Sequence, residues 1–223
     1  MEPTADLATI LPAGAVQKYD MNDFNKVAGS TSWLPRLQLM AAGSGLVVSD
    51  KIRAGAYALI HDADKFTDLT NTVECIPLGW RPKAMDTSGG EMISVYKIDH
   101  PEFKRIQDQS EVKDSGCFYG PEFLLYIPNH GFCTFLMGSK TMRNEAPALS
   151  DLLTTRKAAT LKSKLIDPPK SKYKWWGPVI TACSSPFSVL PTAEEVNEQL
   201  EKFMNPKETE LEAADNAGPA RER

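Results

Sequence analysis

Seven consecutive residues, Lys170 to Trp176, interleave three lysines (Lys170, Lys172, Lys174) with three aromatics (Tyr173, Trp175, Trp176). Ammonium groups pair with phosphates, and flat rings stack on nucleobases. Together they suit a surface that holds a single strand without reading its sequence. Two smaller groups repeat the combination. Trp80, Arg81 and Lys83 lie within four residues, and Lys140 and Arg143 lie within the polar run Ser139–Asn144. For an isolated Trp the plainer reading is core packing. Arg81 and Lys83 could equally snorkel from a core rim.

Other chemistries find less support. His61, His100 and His130 have no spaced partners of the kind that base catalysis or metal ligation needs. Cys117, Cys133 and His130 match no zinc spacing, and the acids Asp86, Glu91, Glu111 and Asp114 are scattered. Gly43-Ser-Gly45 and Gly89-Gly90 do not make a phosphate loop. The expectation is a non-enzymatic protein with no cofactor and no metal. Cys75, Cys117, Cys133 and Cys183 are far apart in apolar runs and read as free thiols in a reducing compartment.

The lysines need a scaffold. Ala159–Ile166 and Tyr173–Ser184 read as a hairpin, with the rigid turn Asp167-Pro-Pro-Lys-Ser171 between them. Centred on Pro169, this hairpin sets Lys164 opposite Lys174 and Lys162 opposite Trp176. Leu161, Leu165, Tyr173 and Trp175 then face the core, and a one-residue slip would break that agreement. Opposed lysines cost stability unless an anion neutralises them. The competing explanation is a lysine-rich edge that blocks sheet-to-sheet pairing.

Other strands read from alternation at Trp33–Met40, Gly55–His61, Val73–Pro82 and Met92–Ile98. A hairpin runs from Glu122 through an Asn129-His-Gly131 turn to Gly138. Pro77 and Pro82 mark an edge or a bulge. Helices are expected at Pro101–Gln109 and over part of Asn144–Lys157, the latter capped by Ser150 or Asp151. A third is expected at Ala193–Phe203, where Thr192 and Glu195 form a capping box. The pattern is mainly β, with about eight strands, and fits a small antiparallel barrel with helical decorations. The expected division is a flexible arm over 1–30, an OB-like β-barrel domain over 31–190, a short helix over 191–205 and a disordered tail over 206–223.

Net charge is −4, but the average hides a polarity. Lys140 to Lys174 holds nine basic and three acidic residues, whereas beyond Ala193 nine acids face four bases. Local fields matter more than the mean. No apolar run reaches the ~18 residues of a membrane span, and the N-terminus lacks the basic region of a signal peptide. A soluble, cytoplasmic protein with no membrane partner is expected.

In outline, the chain resembles phage-type single-stranded DNA-binding proteins. The resemblance rests on Lys162, Lys164 and Lys172–Trp176, on the β-rich centre and on the acid-rich end. It implies an OB-type core whose basic, aromatic groove holds single-stranded DNA, with RNA left open. It also implies an acidic tail that regulates access, and replication or recombination proteins as partners; self-association is compatible with it. The ending Pro219-Ala-Arg-Glu-Arg223 departs from the acidic, often aromatic terminus of that family. The alternative function is a structural or protein-interaction module, of viral type, that uses the aromatic edge for a protein partner.

Overall fold

Alternating apolar residues build most of this chain into strands. The computed structural model describes residues 34–61, 65–89, 92–169, 171–184, 187 and 189–205. The N-terminal arm, Trp33, Lys170 and the tail lie outside them. The chain runs β1 (Arg36–Leu39), α1 (Gly45–Val48), β2 (Tyr57–Ile60), β3 (Phe66–Asp68), β4 (Thr72–Asp86) and β5 (Ile93–Val95). It continues through α2 (Pro101–Gln109), β6 (Cys117–Ile127), β7 (Gly131–Leu136), α3 (Lys140–Thr154), β8 (Ala159–Ile166), β9 (Trp175–Ala182) and α4 (Ala193–Met204). The protein is mainly β. Its strands join in the order β3-β2-β1-β7-β6-β4-β8-β9, with β5 on β4.

Two expectations about this architecture need correction. The sheet is mixed, because β1 runs parallel to β7 through the Arg36–Thr134 pair. It is also not closed into a barrel: no ladder joins the end strands β3 and β9 among the described residues. The sheet does roll. The Trp176 indole of β9 lies so close to Gly55, at the entry to β2, that a Cβ there would come within 2.5 Å of the ring. One inner core therefore spans the roll, from Leu37, Tyr57 and Leu59 through Phe123 and Phe135 to Leu161 and Ile180. Burying each large side chain contributes about 1.5–3 kcal/mol.

The long strand β4 changes face partway along. Pro77 pairs with Leu125 but Gly79 pairs with Leu124, so Leu78 is an extra, bulged residue. Before the bulge Val73 and Cys75 face the inner core; after it Trp80 does. Arg81 consequently falls directly opposite Glu122. Both are buried, as is Lys83. Arg81 Nη2 lies 2.7 Å from Glu122 Oε2, and Lys83 Nζ lies 2.7 Å from Oε1.

Helices cover what the sheet leaves open. Val196 and Phe203 of α4 bury against Ile76, Leu78, Leu124 and Tyr126 on the outer face, and Thr192 and Glu195 form the expected capping box. The first turn of α2 is capped by His100, whose Nδ1 accepts from the Glu102 N–H at 3.2 Å. Arg105 ties α2 to Asp86 at 2.8 Å. The helix α3 begins earlier than sequence predicts, at Lys140, and runs through Pro147. Its cap is Ser139, which accepts from the Met142 N–H at 3.2 Å, and not Ser150 or Asp151. A proline inside a helix costs roughly 3 kcal/mol. Burial of Ala146, Leu149 and Leu153 on one side of α3 offsets that cost.

Two stability predictions follow from the buried charges. Replacing Glu122 by Ala leaves two buried cations without their carboxylate and should cost about 3–5 kcal/mol in urea unfolding. A loss under 1 kcal/mol would show that the cluster is not holding the sheet. Hydrogen bonds from Ser88 and Arg105 hold the Asp86 carboxyl at about 2, below its ordinary 3.8. A depressed pKa stabilises the fold fully above the unfolded value and loses that contribution as pH falls through the folded one. Urea midpoints should therefore drop between about pH 4 and pH 2, and Asp86→Asn should flatten that part of the profile.

Candidate functional site

The β8–β9 hairpin forms with the expected strands but in a different register. Lys162 lies opposite Val179, Lys164 opposite Gly177, Leu165 opposite Trp176 and Ile166 opposite Trp175. This is three residues away from a hairpin centred on Pro169: eight residues, Asp167 to Lys174, separate the paired strand ends Ile166 and Trp175. An odd shift exchanges faces. Trp176 turns inward and packs against the inner core. Trp175 turns outward, to the face that carries Lys162 and Lys164. The sequence-based assignment of Trp176 as the exposed ring and Trp175 as core is thus reversed. Lys164 does not face Lys174, so opposed lysines store no repulsion across this ladder.

The outer face of β8 and β9 gathers four groups. Lys162 and Lys164 are exposed, and neither has an ion-pair partner among the described residues. Trp175 is 39% exposed and Val179 38%. Beyond the ladder the loop carries Lys172, Tyr173 and Lys174. Tyr173 is 73% exposed, with its backbone N–H and carbonyl both bonded to Ser171 Oγ at 3.0 Å. Lys174 pairs with Asp167 at 2.6 Å; both ends are open to water, so the pair is weak.

The amino end of α3 adjoins this face. Thr141 Oγ1 accepts the Trp175 indole N–H at 3.0 Å. A Cβ on Gly177 would stand 2.6 Å from Thr141 Cγ2 and 2.9 Å from Ile166 Cδ1, so only glycine lets the helix approach this closely. Lys140, next to Thr141 in the chain, is exposed.

The remaining predicted residues lie elsewhere. Arg81 and Lys83 belong to the buried Glu122 cluster and present no cation to the surface. Trp80 packs on Phe123 with ring centroids 6.4 Å apart. Arg143 braces α3 to β6: it lies 4.1 Å over the Tyr119 ring and donates to the Tyr119 carbonyl at 3.1 Å. Thr141 and Gly177 are the residues that sequence reasoning missed. The Trp-Trp-Gly sequence was the one available signal, and it says nothing of a partner 34 residues upstream.

A cleft of about 490 Å³ opens between the β3–β4 and β6–β7 turns, lined among others by Asp68, Glu74, Asn129 and His130. Its Thr72 lies opposite Lys162, so it borders the lysine face, but its carboxylates repel phosphate. Among the described residues, no three His, Cys, Asp or Glu side chains converge as metal ligands. None of the four cysteines forms a disulfide; Cys75, Cys117 and Cys133 are buried and Cys183 is half-buried. No described helix is long and apolar enough to cross a membrane. No protein-family model, curated protein or solved structure matches this chain.

The exchange of faces predicts unequal roles for the adjacent tryptophans. Trp176→Ala should cost roughly 3 kcal/mol of unfolding free energy by opening a cavity against Gly55. Trp175→Ala should cost about 1 kcal/mol or less, as surface substitutions do. Equal losses in urea unfolding would contradict the register.

Proposed function

We propose that the chain is a non-enzymatic single-stranded DNA-binding protein and that the outer face of β8–β9 is its binding surface. The observation that carries this reading is the union of Lys162, Lys164 and Trp175 on one solvent-facing side of the hairpin. Phosphates would meet Lys162 and Lys164, with Lys172, Lys174 and Lys140 extending the track. Trp175 would stack on a base, and Tyr173 would offer a second ring from the loop. Trp176, Trp80, Arg81, Lys83 and Arg143 support the fold in this reading and do not touch the strand.

In this reading, the rolled sheet with α3 packed into its core stands in for the OB-type barrel of phage single-stranded DNA-binding proteins. The acid-rich stretch beyond α4 would compete with DNA for the lysine face, and replication or recombination proteins would be partners inside the cell. RNA could use the same contacts, because neither stacking nor phosphate pairing reads the sugar.

A second reading is favoured by one observation: Leu165 and Val179, on the same hairpin as Trp175, are exposed at 42% and 38%. Exposed apolar groups on both faces of the hairpin suit a protein partner. The two readings differ in salt dependence. Fluorescence titration with an unstructured poly-dT oligonucleotide should show Trp quenching that weakens steeply with salt. The double substitution Lys162→Glu, Lys164→Glu should lower affinity at least about tenfold and reduce the log–log salt slope by roughly 1.4, from two lost phosphate contacts at ~0.7 each. Unchanged binding in that variant, or no quenching at low salt, would turn the search to protein partners.

A further inference from the structure

Trp175 is not a loose surface ring. Its single donor, the indole N–H, is held by Thr141 Oγ1 at 3.0 Å. Thr141 reaches it because Gly177 leaves a gap that any Cβ would close, at 2.6 Å from Thr141 Cγ2. The helix that carries Thr141 is fixed in turn: Ser139 caps it, and Ala146 and Leu149 bury in the inner core. A chain of contacts therefore runs from the core through α3 to one edge of the indole.

We infer that Thr141 is a positioning residue that pre-orients Trp175 as a stacking platform for any base. The inference rests on the nucleic-acid reading of this face and deepens it in two respects. An exposed Trp without a tether samples several rotamers and loses that freedom on binding; a tethered one has lost it already, so stacking gives up less entropy. The tether also occupies the one hydrogen-bonding group of the indole. What remains for a ligand is the π-face, which every base can use. The contact thus favours sequence-tolerant binding over base readout.

The test uses the full chain, three further variants and the Lys162→Glu, Lys164→Glu double variant, with dT, dC and dA oligonucleotides of equal length titrated at several salt concentrations. Thr141→Val keeps the shape and removes the acceptor. Thr141→Ser keeps the acceptor, and Trp175→Ala removes the platform. The Trp175 indole N–H, followed by ¹⁵N-resolved NMR, reports the tether directly.

The expected result has four parts. In Thr141→Val the indole N–H exchanges faster, dT affinity falls about five- to tenfold, a part of the range one base stack can supply, and the salt slope is unchanged. Thr141→Ser binds within about twofold of the parent. Trp175→Ala loses at least as much as Thr141→Val. Affinities for the three homopolymers differ only modestly in the parent chain.

Three outcomes would overturn the inference while the nucleic-acid reading stands. One is parental affinity in Thr141→Val while Trp175→Ala is weakened; binding then stands without the tether. A second is a loss in Thr141→Val that brings an altered salt slope, which would mean that the helix end and Lys140 have moved. A third is strong preference for one base, which an indole with its donor occupied cannot give. If neither Trp175→Ala nor the double charge reversal weakens binding, the nucleic-acid reading itself fails and the inference falls with it. Thermal unfolding of each variant keeps a folding defect from passing as a binding one, and Thr141→Ser decides the role of the hydroxyl even if the valine is poorly tolerated.

Discussion

Two buried cations on one buried carboxylate are the constraint around which this sheet is arranged. Burial by itself pushes the Glu122 carboxyl up, but the charges of Lys83 and Arg81 and their hydrogen bonds hold it below the ordinary glutamate value. Burial likewise opposes charge on Lys83, and Glu122 outweighs it, so the lysine pKa is raised. One carboxylate cannot neutralise two cations. The excess positive charge meets the Tyr96 ring 3.8 Å from the Arg81 guanidinium carbon and the Phe203 ring at 4.2 Å. Arg81 also donates to the Phe203 carbonyl, one of the groups left unpaired at the end of α4. Arginine is suited to this place, since its fork serves a carboxylate and a carbonyl while its plane stacks on rings.

That cluster exists only because of the bulge at Leu78. Were Leu78 instead paired with Leu124 in an unbulged strand, the ladder beyond it would slip by one. Trp80 would then stand opposite Glu122, and Arg81 would turn toward the inner core. A charged group would be buried without a partner on each face, which costs several kcal/mol. The bulge thus sorts β4 into an apolar half and a charged half. It gives Trp80 to the inner core and fastens α4 across the outer face. With Arg81 and Lys83 committed to the interior, the basic residues of the candidate site that stay exposed are Lys140 of α3 and the lysines of β8 and the loop that follows.

Much of the scaffold was legible because its elements carry local signals. The run Pro101–Gln109, the capping box of Thr192 and Glu195, and the strand Ala159–Ile166 announce themselves within a few residues. What was hidden depends on pairs distant in sequence. Arg81 and Glu122 are 41 residues apart, and nothing near Arg81 says that a carboxylate awaits it, so snorkelling was the natural expectation. Pro147 disguised α3, because a proline inside a helix is outweighed only by burial that the sequence does not display. The hairpin register failed for a related reason. Apolar matching allowed a hairpin centred on Pro169, but contact of Trp176 with Gly55, more than 100 residues away, decides which tryptophan goes inside. The segment singled out from sequence therefore does carry exposed lysines and an exposed ring, but that ring is Trp175 and not Trp176.

The register also bears on why the lysines are there at all. Lysines that guard a sheet edge belong on the edge strand, which here is β9. That edge is already interrupted. The Ser163 N–H is donated to the Asn71 carbonyl on the β4 side, so Pro178, opposite Ser163, turns its nitrogen to the free edge. It offers no donor there to an incoming strand. Lys162, in contrast, sits on an inner strand, between Thr72 of β4 and Val179 of β9. It borders no edge and guards none. A cation at such a position, with Lys164 two residues on and a tethered indole beside them, presents charge across the face of the sheet. A ligand that exploits it must lie over the sheet, as an extended polyanion with stackable bases would.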